Sequence, residues 1–287
     1  MLHHFLKRDI VSFKTVGRTL IIAFYGLFLT FGMAGTVVHG HSEIVRNLFP
    51  GKPVTVAVLD TGVDSHHIDL QGKVVASYNF TSSPTVEDLR GHGTHVAGII
   101  VRDFEAGVGN DGLKHEVRLI NVKVAEDSGI CRAETVSKGI IWAADNGAEV
   151  INISLALKQP LSDLEEAIRY AWSKGAVIVA AAGNENLNLP IYPAAYPQVV
   201  GVAATDDTGQ LTTWSNRGAW VTASAPGANI YSTLPGNAYG FKSGTSQAAA
   251  SVSGDAAVYY VFNVESDPEL PVNVAVAERV REFRRIR

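Results

Sequence analysis

Short runs of consecutive apolar residues recur along the chain after position 50, and many of their members are β-branched. Such runs are typical of strands that are buried on both faces of a sheet. Between them, apolar residues recur every three or four positions, which predicts amphipathic helices. The runs cover residues 54–59, 117–122, 149–153, 176–181 and 199–203, and the helices open at residue 92 and span about residues 134–146 and 161–174.

Strands and helices that alternate in this way imply βαβ units. We therefore predict an α/β fold of three layers, in which a mainly parallel, twisted sheet is flanked by helices. Gly147 and Gly175 follow two of the predicted helices, and we expect them to end those helices in a left-handed conformation. No repeat or low-complexity linker interrupts the later sequence, so we expect residues 39–287 to form one domain.

A different apolar pattern occupies the beginning of the chain. Residues 19–38 carry no charge, and they follow the cations Lys7, Arg8, Lys14 and Arg18. This arrangement predicts an N-terminal signal peptide or membrane anchor over residues 1–38, and a buried core helix is a third interpretation. Both export interpretations place residues 39–287 outside the cytoplasm, either secreted or held at the membrane through residues 19–38.

The overall composition excludes several classes of protein. Hydrophobic residues make up 46% and charged residues 18%, which excludes a disordered chain, a collagen and a long coiled coil. The net charge of −4 gives no reason to expect a nucleic-acid partner. Cys131 is the only cysteine, so the chain has no intramolecular disulfide and no zinc site built on several thiolates. We expect a monomer.

Four polar residues lie where ligands bind in parallel sheets, beyond the carboxyl ends of the strands. Asp60 ends the first run, and His92 opens a helix within the segment GHGTHVAG. Asn184 follows another run, and Ser246 stands among small residues in SGTSQAAA. Each residue has a structural alternative: an Asp that bonds backbone amides, a Ser that caps a helix, an Asn in a turn, and a metal pair formed by His92 and His95.

Taken together, the order Asp60, His92, Asn184, Ser246 and the motifs around these residues resemble the subtilisin-like serine proteases, or subtilases. The resemblance covers about residues 50–265 and extends to the segments VINISL, APG and STLPGN. It implies an endopeptidase that acts on peptide or protein substrates. In that reaction Ser246 would attack the carbonyl, His92 would take the serine proton, and Asp60 would orient the His92 ring.

The resemblance also implies an oxyanion hole, which would consist of the Asn184 side chain and the Ser246 backbone N–H, with Thr245 close by. No cofactor is required for this chemistry. An extended substrate would pair with two enzyme segments, as an added strand does. The members of these segments are Ser128, Gly129 and Ile130 in the first and Ser154, Leu155 and Ala156 in the second.

The first specificity pocket follows from the same resemblance. Its members would be Ala156, Ala181, Ala182 and Gly183 in the walls and Ile191 near the floor. Ala156 stands where the family usually has glycine, and Ile191 stands where it often has a smaller residue. We therefore expect a shallow pocket that prefers small or medium apolar side chains. Cys131 lies near the outer end of the first substrate segment, where it would serve as a small apolar residue or make the site sensitive to thiol reagents.

Two pairs of histidines, His39 with His41 and His66 with His67, lack a full set of metal ligands, and we expect these histidines to lie on the surface.

Several positions depart from the family pattern. Gln247 and Ala250 replace a usual methionine and proline after the nucleophile, and we expect the serine helix to continue through Ala250 with at most a small shift of Ser246. Asp69 matches a calcium ligand of the family, so structural calcium is an expectation that competes with solvated loop acids. Further oxygen donors of the kind that calcium takes are Asp103, Glu105, Asn110 and Asp111.

Two further expectations concern the termini. Asp60 follows the apolar stretch by 22 positions, which leaves no room for a folded pro-domain. The enzyme would then mature without one, receive help in trans, or represent an incomplete reading frame. The arginine-rich tail after residue 278 suits a solvated helix end, or a contact with an anionic surface. A processing protease or peptide ligase, and a non-catalytic peptide-binding module, are the alternatives to a general endopeptidase.

Overall fold

The computed structural model describes residues 53–101, 117–263 and 271–285. These residues belong to one compact unit, which spans Phe49–Arg102 and Leu113–Arg287. The predicted leader over residues 1–38 lies outside the described residues, and so does the loop that carries Asp103, Glu105, Asn110 and Asp111. The predicted domain boundaries therefore stay predictions.

Seven parallel strands form the central sheet of the described residues. They are β1 (Val54–Asp60), β2 (Val74–Asn79), β3 (Val117–Lys123), β4 (Val150–Ile153), β5 (Val177–Ala181), β6 (Val199–Thr205) and β7 (Ala223–Pro226). Across the sheet the order is β2–β3–β1–β4–β5–β6–β7. The five predicted apolar runs are therefore all strands of one parallel sheet, as expected.

Five helices and one antiparallel hairpin complete the described part of the fold. The helices are α1 (His92–Val101), α2 (Ala133–Asp145), α3 (Ser162–Ser173), α4 (Thr245–Asn263) and α5 (Val272–Phe283). The hairpin consists of β8 (Ile230–Leu234) and β9 (Ala238–Lys242), and it runs directly into α4. Gly147 (φ 78°) and Gly175 (φ 92°) have the left-handed conformation that we predicted after α2 and α3.

The helices form a layer on each face of the sheet. In β1, Val54, Val56 and Val58 point to one face, where they share an apolar cluster with α1, α4 and α5. Ala57 and Leu59 point to the other face and pack with α2 and α3. Because strand side chains alternate between faces, a run that is apolar throughout is buried on both sides. This arrangement confirms the three-layer prediction.

None of the helices within residues 53–101, 117–263 and 271–285 combines the length and the apolar character needed to cross a bilayer. Residues 19–38, for which we predicted a signal peptide or membrane anchor, lie outside these ranges.

Candidate active site

Asp60 lies at the carboxyl edge of the sheet, as the last residue of β1. Its side chain is buried, with 5% of the residue exposed. The backbone N–H of Thr61 donates to Asp60 Oδ1 at 2.7 Å, so the turn after the strand satisfies part of the buried carboxylate. The next strand in the sheet, β3, ends opposite it with Lys123 as the register partner of Asp60.

His92 is the first residue of α1, and its ring contacts Asp60 directly. The distance from His92 Nδ1 to Asp60 Oδ1 is 2.7 Å, while 28% of the His92 side chain is exposed. The negative charge of Asp60 is the main reason why the pKa of His92 is raised above 6.5, and burial opposes it. Asp60 and His92 are thus brought together, in an arrangement that allows the carboxylate to orient the imidazole ring.

A network of hydrogen bonds fixes the start of α1. Asp88 is 1% exposed, and its Oδ1 accepts from the Thr61 hydroxyl at 2.8 Å and from Gly91 N at 2.8 Å. Asp88 Oδ2 accepts from Thr94 N at 2.8 Å, and Thr61 Oγ1 accepts from Gly93 N at 3.1 Å. These bonds satisfy the N–H group of Gly91 and two N–H groups of the first helical turn, those of Gly93 and Thr94.

Gly93 lets α1 approach the Asp60 turn closely. A Cβ atom at this position would fall 2.0 Å from the Gly62 carbonyl oxygen and 3.0 Å from Asp60 Cβ. Any larger residue would therefore push His92 away from the carboxylate. This explains why the residue that follows His92 is glycine.

Asn184 and Thr245 meet beyond the end of β5. Asn184 Oδ1 accepts from Thr245 N at 2.9 Å and from the Thr245 hydroxyl at 3.1 Å, and Gly183 N donates to Thr245 Oγ1 at 2.9 Å. Because Oδ1 faces a backbone donor, the amide orientation is fixed, and Asn184 Nδ2 remains as a donor on an exposed residue. A donor held in this way is suited to stabilise a developing oxyanion.

Asn216, which the sequence analysis did not single out, holds the segment that carries Asn184. It is fully buried, and its Oδ1 accepts from Glu185 N and Leu187 N at 3.1 and 2.8 Å. Its Nδ2 donates to Ala182 O at 2.9 Å. An amide that bonds backbone on both sides of Asn184 keeps this irregular segment in one conformation.

Ser246 is the second residue of α4 and is 7% exposed. Within the described part of the chain, the hydrogen bonds include none between Ser246 Oγ and the His92 ring. Bonds of this kind are often long without substrate and shorten in the substrate complex. Lys242, four residues before Ser246, lies close enough to His92 for its charge to lower the pKa of that ring.

A polar chain across the core links α4 to the second substrate segment. Ser253 Oγ donates to Asn152 Oδ1 at 3.0 Å, and Asn152 Nδ2 donates to Ser154 Oγ at 3.0 Å. Ser253 and Asn152 are both fully buried. Since Ser253 lies two helical turns after Ser246, these bonds fix the depth of the serine helix relative to β4.

The helix after Ser246 continues as predicted. Gln247 and Ala250 both lie within α4, and Ala250 is fully buried in the apolar cluster between α1 and the sheet. Gln247 is 2% exposed, and its Nε2 atom has no hydrogen-bond partner among the described residues. Alanine in place of proline therefore leaves the helix intact.

The two predicted substrate segments differ in how their backbone is used. Gly129 N donates to Glu126 O at 2.7 Å, and Ile130 O accepts from Glu126 N at 2.9 Å, so Ser128, Gly129 and Ile130 form part of a turn that returns toward α2. Leu155 and Ala156 make no backbone hydrogen bond to another described residue. Free backbone groups of this kind are suited to pair with an extended peptide.

The residues predicted for the first specificity pocket come from three segments of the chain. Leu157 and Tyr192 exchange backbone hydrogen bonds at 2.8 Å in an antiparallel bridge, so Ala156 lies opposite Pro193 and Ile191 lies opposite Lys158. Ile191 is 2% exposed, and Ala181, Ala182 and Gly183 are also buried. The side-chain preference of this pocket stays a prediction.

Lys123 is a buried cation next to the candidate site, and nothing in the sequence singled it out. Its side chain is fully buried at the end of β3, where Nζ donates to Thr61 O and to Asp127 Oδ1, the latter at 2.7 Å. This bond lowers the pKa of Asp127. Lys123 thus connects the turn after Asp60 to the turn that carries Ser128 and Gly129, although an apolar run ending in lysine gave no sign of this.

The hydrogen bonds of His95 do not favour a metal pair with His92. His95 Nε2 lies 3.0 Å from Ile230 O and 3.1 Å from Gly240 O, and burial lowers the pKa of His95 to about 4. Asp69 Oδ2 accepts from the Tyr239 hydroxyl at 2.7 Å. The calcium donors predicted beside Asp69 lie outside the described residues, so calcium binding stays a prediction.

One expectation was wrong. We expected His66 and His67 to lie on the surface, but only His66 does, with 86% of its side chain exposed. His67 is fully buried, and its Nε2 lies 3.1 Å from Ala238 O while its Nδ1 accepts from Asp69 N at 3.2 Å. It holds the β8–β9 hairpin against the turn that follows β1.

Comparisons with known proteins agree with this geometry. The sequence model of the subtilase family matches residues 51–269. A thermophilic serine proteinase of Bacillus sp. (strain AK1) is 44% identical over 71% of this chain and 51% of that protein. Thermitase of Thermoactinomyces vulgaris is 42% identical over 71% of this chain and 74% of that protein. The alignment thus spans about half the length of the first relative and about three quarters of the second.

A solved structure has the same architecture. It is the crystal structure of a cold-adapted subtilisin-like serine proteinase, which superposes with a TM-score of 0.68 at 33% identity. The superposition covers 80% of this chain and 81% of that one.

Proposed function

The chain belongs to the subtilase family, and on that premise we propose that it is a serine endopeptidase that cleaves peptide bonds through an acyl-enzyme on Ser246. The observation that carries the proposal is the 2.7 Å contact between His92 Nδ1 and Asp60 Oδ1. It occurs at the sheet edge where Asn184 and Thr245 also meet.

In the first step His92 accepts the Ser246 proton at Nε2 while Ser246 Oγ forms a bond to the substrate carbonyl carbon. The carbonyl oxygen becomes negative, and Asn184 Nδ2 and the Ser246 backbone N–H donate to it. Asp60 keeps its charge throughout and stabilises the imidazolium that forms on His92.

The intermediate then collapses. His92 returns the proton to the departing amine, the peptide C–N bond breaks, and Ser246 is left as an ester. Water then enters on the same side, gives a proton to His92, and its oxygen forms a bond to the ester carbonyl carbon. His92 returns that proton to Ser246 Oγ as the bond between Oγ and the acyl carbon breaks, which releases the acid product and restores the serine. The proposed chemistry uses only these side chains and a water molecule, and requires no cofactor.

For the substrate, we propose an extended peptide that pairs with Leu155 and Ala156 on one side and with Ser128, Gly129 and Ile130 on the other. The free backbone groups of Leu155 and Ala156 support this arrangement. We also propose that the pocket formed by Ala156 and Ile191 prefers small or medium apolar side chains, because the methyl and the branched side chain shorten it.

We further propose that the catalytic domain acts outside the cytoplasm. The support comes from the sequence, since the uncharged residues 19–38 follow four cations, as in exported proteins. N-terminal sequencing of the exported product would test this, because cleavage after the apolar stretch and retention of it give different first residues.

A fluorophosphonate probe tests the proposed nucleophile. The wild-type protein should be labelled at Ser246, and the Ser246→Ala variant should not be labelled. Ser251→Ala is a matched control, since it makes the same chemical change in the same helix. A folded wild-type protein that neither reacts with the probe nor cleaves a peptide would refute the proposed function.

A further inference from the structure

A cleft lies directly beside His92, between the catalytic edge of the sheet and the first substrate segment. Its volume is about 210 Å³. Most of its lining is apolar or small, including Leu59, Val124, Gly129 and Leu155. Two charged side chains line it besides His92: Asp60, which His92 already engages, and Arg90.

Arg90 lies against the first substrate segment. Its Nη1 donates to Ser128 O at 2.7 Å. The guanidinium also covers Gly129, because a Cβ atom on that glycine would fall 2.7 Å from Arg90 Cζ. The side chain is therefore held at the rim of the cleft, although the residue itself is exposed.

The charge of Arg90 has no counterpart in the described part of the protein. Within residues 53–101, 117–263 and 271–285 no carboxylate lies within 4.0 Å of its guanidinium. A guanidinium has five N–H donors and does not lose its proton in proteins, and the bond to Ser128 O uses one of them. The remaining donors form a planar fork that matches a carboxylate.

We propose that Arg90 makes this protease selective for peptides that carry an acidic side chain in the cleft beside His92. The inference rests on the proposed function, because it concerns the substrate of the same site. A glutamate or aspartate that enters the cleft meets the permanent positive charge of Arg90, while His92 and Asp60 already engage each other and Leu155 contributes apolar surface. A neutral side chain of equal size gains the packing but not the ion pair.

The expected selectivity is moderate, because Arg90 is exposed to solvent. Hydrogen bonds to charged groups and exposed ion pairs together suggest roughly a 3- to 30-fold advantage in kcat/KM for Glu over Gln. Salt should weaken it, since the Debye length falls from about 10 Å at 0.1 M to about 3 Å at 1 M ionic strength.

The test compares matched peptides with one cleavage site and a small apolar residue before the scissile bond. A single Glu, or a Gln in its place, occupies in turn the second, third and fourth positions before that bond. The measured quantity is the Glu/Gln ratio of kcat/KM within each protein, so that an overall change in activity cancels. The proteins are the wild type, Arg90→Gln, Arg90→Glu, Lys242→Gln and the control Arg118→Gln, whose exposed side chain lies near the opposite end of β3.

We expect a ratio above 3 at one position for the wild type, Lys242→Gln and Arg118→Gln, a ratio near one for Arg90→Gln, and a ratio below one for Arg90→Glu. A wild-type ratio near one at every position would overturn the inference. The inference would also be overturned if the preference for Glu disappeared in Lys242→Gln and persisted in Arg90→Gln, because Lys242 would then be the residue that recognises the acidic side chain. In both cases peptide cleavage and labelling of Ser246 would persist, whereas failure of the proposed function would abolish them.

Discussion

Replacement of Asp88 by asparagine tests whether the hydrogen-bond network before α1 positions His92. Asp88 is a buried carboxylate that accepts four hydrogen bonds: from the Thr61 hydroxyl, Arg90 N and Gly91 N at Oδ1, and from Thr94 N at Oδ2. An asparagine side chain can keep the three bonds at its oxygen. Its NH₂ group then faces the Thr94 N–H, so a donor meets a donor where an acceptor stood.

The expected cost follows from the bonds that are lost. A buried donor left without a partner costs about 1–3 kcal/mol, and the loss of a helix N-cap costs about 0.5–2 kcal/mol. Both describe the same Thr94 N–H, so they do not add. We therefore expect Asp88→Asn to lower the free energy of unfolding by about 1–3 kcal/mol. The charge of Asp88 also helps to raise the pKa of His92, so that pKa should fall.

The measurement uses urea unfolding in the Ser246→Ala background, which prevents self-digestion, together with an NMR titration of the His92 ring. Asp207→Asn is the matched control, because it makes the same change at an exposed position and should alter stability by less than about 0.5 kcal/mol. If Asp88→Asn unfolds like this control and the His92 pKa does not move, the network does not hold α1 in place.

Two further predictions concern charges at the site. Because Asp60 raises the pKa of His92, kcat/KM should fall as the pH drops through that raised pKa. The Asp60→Asn variant should show this fall at lower pH. If the acidic side of its pH profile coincides with that of the wild type, Asp60 is not the cause of the raised pKa. Lys123→Met should destabilise the protein by about 1–3 kcal/mol and raise KM more than it lowers kcat, because Asp127 and Thr61 O lose their donor. Lys138→Met, which removes an exposed pair with Glu134, should change neither quantity appreciably in unfolding and peptide-cleavage assays.

The sequence was sufficient to predict the strands that are buried on both faces. In β4 and β5 every residue is buried, so the run of apolar residues in the sequence has about the same bounds as the strand. β2 was missed because it lies at the sheet edge, where its six residues are exposed or only partly buried and form no continuous apolar run. The hairpin strand β9 was missed for the same reason, since three of its five residues are exposed.

The candidate site was predictable where a local motif marks it. Glycines around His92 and small residues around Ser246 are visible in the sequence, and the structure gives the reason for Gly93 in its close approach to the Asp60 turn. Lys123, Asn216 and the burial of His67 carry no local signal. Their roles depend on backbone groups that are distant in sequence, such as Thr61 O for Lys123 and Ala238 O for His67, and these contacts exist only after folding.

The two histidines of α1 show how one helix can carry a base that titrates and a structural side chain that does not. His92 faces a carboxylate, which raises its pKa, whereas His95 is buried against two carbonyl groups and has a pKa of about 4. A neutral His95 donates from Nε2, and its buried Nδ1 has no partner among the described residues, so a second proton there would be poorly stabilised. His95, which connects α1 to the β8–β9 hairpin, therefore stays neutral in the pH range in which His92 gains or loses a proton. β9 leads directly into α4, the helix that carries Ser246. The contact of His95 with the hairpin therefore connects the helix of His92 to the helix of Ser246, and it is unaffected when His92 gains or loses a proton.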